Sequence, residues 1–365
     1  MTFLYERFLK PILFLQRPET VHDRALRIGR IIGEIPPGRW LLAAVYRRRH
    51  PKLRQYLAGI VFESPIGLAA GFDKDAHLMK VLPSLGFGFA EVGSVTARPY
   101  GGNPSPRAVR LPKDNALIIN YGLKNEGARA IRPRLQGRRF AIPIGVSIAK
   151  TNLRFKSDKE KLDDWMEGIR LLKGSGDYLT INLSCPNTYD TENYCDPRLL
   201  AKLLRRIKRD RVRFTKPVFL KLTADLTEKQ ADEIIRLCTP IPWVTGFILT
   251  NLVKDRRKLS LASPREAYEP YKGGLSGKIV QPHALKLVRR FRRRAGDRFI
   301  LVGCGGIFTP EDAYQYILAG ANLVQLVTGM IFRGPGTIKE VNKGLVRLLE
   351  KDGYRNISEA VGKLA

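Results

Sequence analysis

Eight short apolar runs in this sequence each close in residues able to do chemistry. YLTINL from Tyr178 ends in Asn182, Ser184, Cys185 and Asn187, bringing amides, a hydroxyl and a thiol together. PIGLAAG from Pro65 leads to Asp73 and Lys74, PVFLKL from Pro217 to Lys221, and GFILTN from Gly246 to Thr250 and Asn251. FAEVGSV from Phe89 supplies Ser94 and Thr96, and PIGVSI from Pro143 supplies Ser147 and Lys150. FILVGC from Phe299 runs into a turn with Gly303, Gly305 and Gly306, and NLVQLVT from Asn322 ends in Thr328 and Gly329. Three lysines, several carboxamides and one thiol are therefore available at the ends of these runs. No carboxylate pair and no histidine stands with them, which argues against glycosidase, metal-hydrolase and serine-triad chemistry.

Lysines and carboxamides suit a planar, anionic heterocycle, and a lysine beside a flavin stabilises its reduced, anionic form. The thiol can serve as the proton-transfer group. The two glycine turns match a phosphate site of the kind barrels build after strands seven and eight, where backbone amides approach an anion unobstructed. Cys185, Cys195, Cys238 and Cys304 form no CxxC pair and lie far from the four histidines, so no metal framework is expected. Cys195, Cys238 and Cys304 are read as structural thiols.

The elements that position these residues follow from the alternation of the runs with longer helical patterns, among them Asp158 to Lys173, Pro197 to Arg211, Thr227 to Cys238 and Pro282 to Arg293. Eight such βα units predict an α/β chain folded as a closed (β/α)8 TIM barrel, whose active site lies at the C-terminal ends of the strands. A length of 365 residues accommodates that barrel and one appendage. The expected division is an N-terminal helical extension over 1–60 and a barrel over 61–365. Two long connections, Arg98 to Tyr121 and Leu252 to Lys278, are expected to act as lids. Ala313 to Phe332 is uncharged but interrupted by Gln315, Gly320, Asn322, Gln325 and Gly329, so it is read as helix end, turn and strand rather than a membrane span.

Charge is the unusual bulk property: 64 Lys+Arg against 34 Asp+Glu give a formal +30, which implies an anionic partner or surface. The extension holds 12 Lys/Arg against 4 Asp/Glu and is amphipathic. Phe3, Leu4, Phe8, Leu9, Ile12, Leu13 and Phe14 are expected to meet lipid while the basic residues meet anionic headgroups. The run Arg289 to Arg294 is expected to be a solvated helix face, and nucleic acid is not an expected partner.

The segments SPIGLAAGFDKD, GFGFAEVGSVTARPYGGNPSPR, GDYLTINLSCPNT, KLTADLT, ILTN, GGLSGK and VGCGGI followed by GANLVQLVTGMIFRGP resemble, in that order, the motifs of the dihydroorotate dehydrogenase family. RPETVHDRALRIGR resembles the extension of its membrane-associated, quinone-reducing class 2. The resemblance implies an FMN-bound barrel that oxidises dihydroorotate to orotate in pyrimidine synthesis, passes electrons to a quinone, and sits peripherally on the cytoplasmic side of the cell membrane. It places Ala70, Gly71, Lys74, Ser94, Ser147, Asn182, Lys221, Thr250, Gly277, Gly306, Val327 and Thr328 on flavin-contacting positions. Lys74, Asn120, Tyr121, Gly122, Leu123, Asn182, Asn187 and Asn251 fall on substrate-contacting ones, and Cys185 on the catalytic base.

Four departures from the class 2 pattern stand out. The base is normally serine there, whereas cysteine is the choice of the soluble class 1 enzymes. Ile119 holds the place of a usual substrate-loop Asn, with Asn120 one residue later. Ser147 replaces a flavin-contacting Asn, and Leu252 follows Asn251 where a small hydroxyl residue is common. Two alternatives carry weight beside the main reading: a flavin barrel acting on another uracil-like ring, similar to a tRNA dihydrouridine synthase, and a degenerate basic binding protein.

Overall fold

The computed structural model describes residues 2–185, 187–189 and 193–365. Its strands are β1 (Gln55–Leu57), β2 (Ile60–Phe62), β3 (Ile66–Leu68), β4 (Phe89–Val95), β5 (Ala108–Leu111), β6 (Ala116–Ile119), β7 (Ile144–Ile148), β8 (Tyr178–Asn182), β9 (Val218–Leu222), β10 (Val244–Leu249), β11 (Gly274–Gly277), β12 (Ile300–Cys304) and β13 (Leu323–Leu326). Eight of them, β3, β4, β7, β8, β9, β10, β12 and β13, close in that order into a parallel barrel, β13 pairing back onto β3. These are the eight runs read from the sequence. Each is buried toward the interior on one side and toward the helices on the other, so its apolar residues run nearly without a break; all seven residues of β4 are buried.

The connecting helices start where side chains can accept their first free amides. Ser157 caps Asp158–Leu172, Asp196 caps Pro197–Arg209, and Thr227 with Gln230 forms a capping box ahead of Glu228–Cys238. The Pro197 helix stops two residues short of the expected Arg211 because that residue takes a left-handed conformation, φ 48°. β10 begins at Val244, ahead of the expected Gly246. Gly246 lies inside the strand because β12 passes against it: a Cβ there would stand 2.0 Å from the Ile300 carbonyl oxygen. Gly246→Ala is therefore expected to cost about 3 kcal/mol or more, read as a lowered denaturation midpoint, and an unchanged midpoint would contradict this packing.

The bottom of the barrel is sealed by Phe62, whose ring meets Phe89 edge-on at 5.4 Å above Tyr178, Phe219, Val302 and Leu323. The boundary expected between residues 60 and 61 thus falls within the β1–β2 hairpin that closes the barrel. At the opposite end, the two connections expected to be lids are ordered into one antiparallel sheet, β11-β6-β5, around Leu111, Ile118 and Leu275. The AVRL and ALII segments pair through a tight turn at Pro112–Asn115, with Asn115 left-handed at φ 47°.

Among the described residues, the hairpin is preceded by the helical segments Thr2–Phe14, with π-helical turns over Tyr5–Leu9, Pro18–Glu34 and Pro36–Tyr46, and by a 3-10 turn at Pro51–Leu53. They are anchored by Tyr5 donating to the Ile331 carbonyl at 2.8 Å, Arg333 pairing with Glu6 at 3.0 Å, and the Arg107 amide donating to Glu19 at 2.8 Å. Phe3, Leu4, Phe8, Leu9, Ile12, Leu15, Ile28, Ile31, Trp40 and Leu41 remain exposed, with Phe3 70% and Trp40 71% accessible. Phe14, expected to face lipid, instead packs against Phe332 at 5.3 Å with the Arg110 guanidinium over its ring, and Leu13 turns toward an internal cavity. None of the described helices is long and apolar enough to cross a membrane.

The Arg289–Arg294 run is not uniformly a solvated face. Arg290 pairs with Asp232 at 2.7 Å, and buried Arg292 donates to the Gly320 carbonyl at 2.7 Å, leaving Arg293 and Arg294 exposed.

Candidate active site

A cavity of about 630 Å³ opens at the C-terminal ends of the barrel strands and continues beneath the N-terminal helices. Its barrel end is polar. Cys185, Lys74, Asn182, Asn187, Asn251, Ser94, Lys221 and Thr250 all line it, as do Ala70, Gly71, Gly277, Gly306, Val327 and Thr328 and the loop residues Tyr121, Gly122 and Leu123. Its other end is apolar, with Leu9, Leu13, Val21, Ala25 and Ile28 from the helices.

The side chains at the polar end are fixed by one another. Asn182 donates to Ser94 Oγ at 2.7 Å, and that oxygen lies 2.7 Å from Ser147 Oγ. Ser147 is fully buried behind Ser94 and does not line the cavity, so it acts on the wall from behind. Asn182 Oδ1 accepts from Ser184 Oγ at 2.9 Å, and Asn251 donates to the same hydroxyl at 3.0 Å. Amides from two strands are thereby locked in one orientation, as recognition of a flat ring requires.

Asn120 also lies off the cavity wall. Its Oδ1 accepts from Asn103 Nδ2 at 3.0 Å, and the same nitrogen donates to the Asn187 carbonyl. Asn187 in turn donates to the Ile119 carbonyl at 2.8 Å, and Asn152 donates to that of Gly122 at 3.0 Å. Asn103 and Asn152 were not singled out from the sequence. The signal lay in the polar residues of GGNPSPR and AKTN, each beyond a strand end. Thr188 and Tyr189 continue this loop; Pro186 and residues 190–192 lie outside the described residues.

Burial dominates the electrostatics. The half-buried Cys185 thiol is pushed up to about 11 by desolvation, against the Asn187 backbone amide and Lys254, which favour the thiolate. Lys74 sits 4.0 Å above the Tyr121 ring and is pushed down to about 8 by burial, with Asp75 opposing the shift and Lys124 adding to it. His22 reaches the cavity from the Pro18–Glu34 helix, although no histidine was expected near the mouth. Its Nε2 lies 2.8 Å from the Phe72 carbonyl, and burial first, then Lys74, lowers its pKa to about 3. Arg110, also lining the apolar end, donates to the Gln16 carbonyl at 2.6 Å.

One flank of the cavity is built for close backbone approach. Gly277 has φ 113° and its Cβ would stand 2.2 Å from the Asn115 carbonyl oxygen, while a Cβ on Gly329 would stand 2.1 Å from that of Ile307. Gly305 and Gly306 adjoin them, and the Ser276 and Thr328 hydroxyls lie 3.0 Å apart. The two hydroxyls, with side-chain-free glycine backbone beside them, fit an anionic group such as a phosphate. Cys304, read from the sequence as structural, lines the cavity as well. Elsewhere, Asp75, His77 and Glu126 bring ligand atoms within 4.8 Å of one another, but Glu126 is already paired with Arg134 at 2.5 Å.

A closed α/β barrel whose strand ends converge on a locked amide, lysine and thiol array, with a glycine-lined flank, defines an enzyme acting on a small anionic ring compound. The chain belongs to the dihydroorotate dehydrogenase family, whose model, described as Dihydroorotate dehydrogenase, matches residues 52–349. It is 38% identical over 359 residues to the dihydroorotate dehydrogenase (quinone) of Rhodococcus opacus, covering 98% of this chain and 99% of the relative. The enzyme of the same description from Nocardia farcinica is 37% identical over 354 residues, covering 96% and 95%. Among solved structures, the ligand-free type DHODH from Eimeria tenella superposes with a TM-score of 0.79 at 30% identity, covering 95% of this chain and 99% of that one. The structure titled as that organism's DHODH in complex with ferulenol gives 0.78 at 29%, covering 95% of each chain.

Proposed function

We infer that this chain oxidises dihydroorotate to orotate and passes the electrons to a quinone, with FMN bound between the two sites. The observation that carries the reading is the two-ended cavity: a polar end under the capping sheet and an apolar end under the amphipathic helices, joined through one continuous space. Relatives described as dihydroorotate dehydrogenase (quinone) match the chain along 96–98% of its length, helices included. That extent favours this reading over a tRNA-modifying barrel or a binding protein without activity.

FMN, when bound, supplies a two-electron acceptor for the hydride leaving C6 of dihydroorotate. Gly277, Gly306, Val327 and Thr328 would receive its phosphate side, and Lys221, Asn182, Ser94, Ala70, Gly71 and Thr250 its ring. Lys74, Asn187 and Asn251, with the loop from Tyr121 to Leu123 that Asn120 braces from behind, would hold dihydroorotate. Cys185 takes the C5 proton as thiolate. Burial makes that thiolate rare, about one in 10⁴ at pH 7 for a pKa near 11, and the same burial makes it a strong base.

Lys74 gives the opposite slope in binding. Its charged form holds the orotate carboxylate and exists in the free protein below about pH 8. As pH rises through 8 the lysine becomes neutral, and binding must then take up a proton. Orotate affinity is therefore expected to be flat below pH 8 and to fall by up to about tenfold per unit above it. Titration calorimetry in buffers of different ionisation enthalpy would register the proton uptake; pH-independent affinity up to 10 would exclude Lys74 from this role.

The exposed apolar faces of the helices, flanked by basic residues such as Arg7 and Lys10, fit peripheral docking on an anionic membrane at its cytoplasmic side. The decisive experiment is an anaerobic titration of FMN-loaded protein with dihydroorotate, followed by quinone delivered in anionic or neutral vesicles. Bleaching, then recovery that is faster with anionic vesicles, is the expected sequence. Bound FMN that dihydroorotate does not bleach would reject the reading.

A further inference from the structure

Beneath the polar end of the cavity lies a buried layer of polar side chains that the reaction described above does not use. Glu91, inside the barrel on β4, is completely inaccessible. Its Oε2 accepts from Thr180 Oγ1 at 3.1 Å and from Gln325 Nε2 at 3.0 Å, and both of these holding groups are neutral. Glu91 Oε1, Gln325 Oε1 and the Tyr178 hydroxyl have no hydrogen-bond partner among the described residues. A carboxylate so held has had its hydration replaced by two donors, an arrangement that costs free energy unless a nearby positive charge offsets it.

The backbone makes room for this layer. Glu91, Gly145 and Tyr178 are in register across β4, β7 and β8, and a Cβ on Gly145 would stand 2.2 Å from the Tyr178 ring. The missing side chain lets Tyr178 cross toward Glu91. Above the layer, Lys221, Cys304 and Gln325 form part of the cavity wall, with Cys304 and Gln325 paired in register on β12 and β13. Lys221 is only 3% exposed. Both charges reach Cys304: burial raises its thiol, Lys221 opposes the shift and Glu91 adds to it.

We propose that Glu91 is a positioning residue of the flavin site, a buried carboxylate held by Thr180 and Gln325 that balances Lys221 and sets the reduction potential of the flavin bound above it. The inference rests on the FMN reading. A negative charge below the ring disfavours the extra electrons and the anionic reduced form, whereas Lys221 favours them. Removing the carboxylate leaves Lys221 uncompensated, so the flavin becomes easier to reduce.

The test uses full-length, FMN-loaded protein and two readouts independent of turnover: the flavin midpoint potential by dye equilibration, and the affinity for sulfite, an anion that adds to the oxidised ring. Glu91→Gln and Glu91→Met both remove the charge at similar volume, so failure of one to fold leaves the other. Each is expected to raise the midpoint potential and tighten sulfite binding roughly tenfold. Thr180→Val withdraws one of the two donors at nearly unchanged volume while leaving the carboxylate in place, and is expected to shift both readouts in the same direction by less. An unchanged potential in the charge-removing variants, or a shift in Thr180→Val larger than theirs, overturns the role of Glu91. A chain that takes up no FMN on reconstitution overturns the flavin reading itself.

Discussion

Replacing Cys185 by alanine is expected to slow the reduction of bound FMN by dihydroorotate by about 10²–10⁴-fold, the usual contribution of a positioned general base. FMN should stay bound, because most of the residues proposed to hold it, among them Gly277, Gly306, Thr328 and Lys221, lie on other elements of the fold. Cysteine and serine differ here in a measurable way. With the thiol near 11, the reduction rate in the unsubstituted protein should climb about tenfold per pH unit through the neutral range. Cys185→Ser should keep some activity with that climb displaced to higher pH, since a hydroxyl yields its proton less readily. Stopped-flow recording of flavin bleaching checks all three expectations, and an unaltered rate in the alanine variant would remove Cys185 as the base.

The second large effect concerns the apolar end. Ala25 lines it from the Pro18–Glu34 helix, where its methyl leaves the passage open. Ala25→Trp is expected to fill that passage. The dihydroorotate half-reaction should stay within about twofold, while reoxidation by quinone slows roughly tenfold or more. Separate stopped-flow measurement of the two half-reactions distinguishes a plug from general damage. If reoxidation is also unchanged, the quinone does not enter beneath these helices.

The barrel was legible because its strands are buried on both sides, and runs such as FAEVGSV and YLTINL stand out against their helical neighbours. The rule that barrel chemistry gathers at strand ends then pointed to Cys185, Lys221, Asn182 and Asn251 without any knowledge of their mutual positions, and the fold brings all four to one cavity. Residues brought in from remote segments were not legible in the same way. His22 and Arg110 come from a helix before the barrel and from the capping sheet, and only tertiary packing puts them on one cavity. The capping sheet was hidden because AVRL and ALII are four residues each, and their partner GLSG contains two glycines, which weaken any strand signal. Phe14 and Arg292 misled for a related reason: hydrophobicity or charge places a residue on an amphipathic face, but neither reports that Phe332 or the Gly320 carbonyl waits on the inner side.

The sheet over the barrel mouth also bears on how the protein is made. Ile118 of β6 pairs with Val109 of β5 close by in the chain, yet its other neighbour, Leu275 of β11, lies more than a hundred residues downstream. During synthesis the β6 edge emerges long before its partner, as does most of the barrel on which the sheet rests. An unpaired, apolar edge exposed for that interval invites pairing with other nascent chains. Gly277, at the end of β11, is the first-made member of the proposed phosphate cradle, whose others, Gly306, Val327 and Thr328, follow it in the chain. Covering of the exposed edge thus precedes completion of the proposed cofactor site, and new chains are most open to aggregation while residues 120–273 are being made.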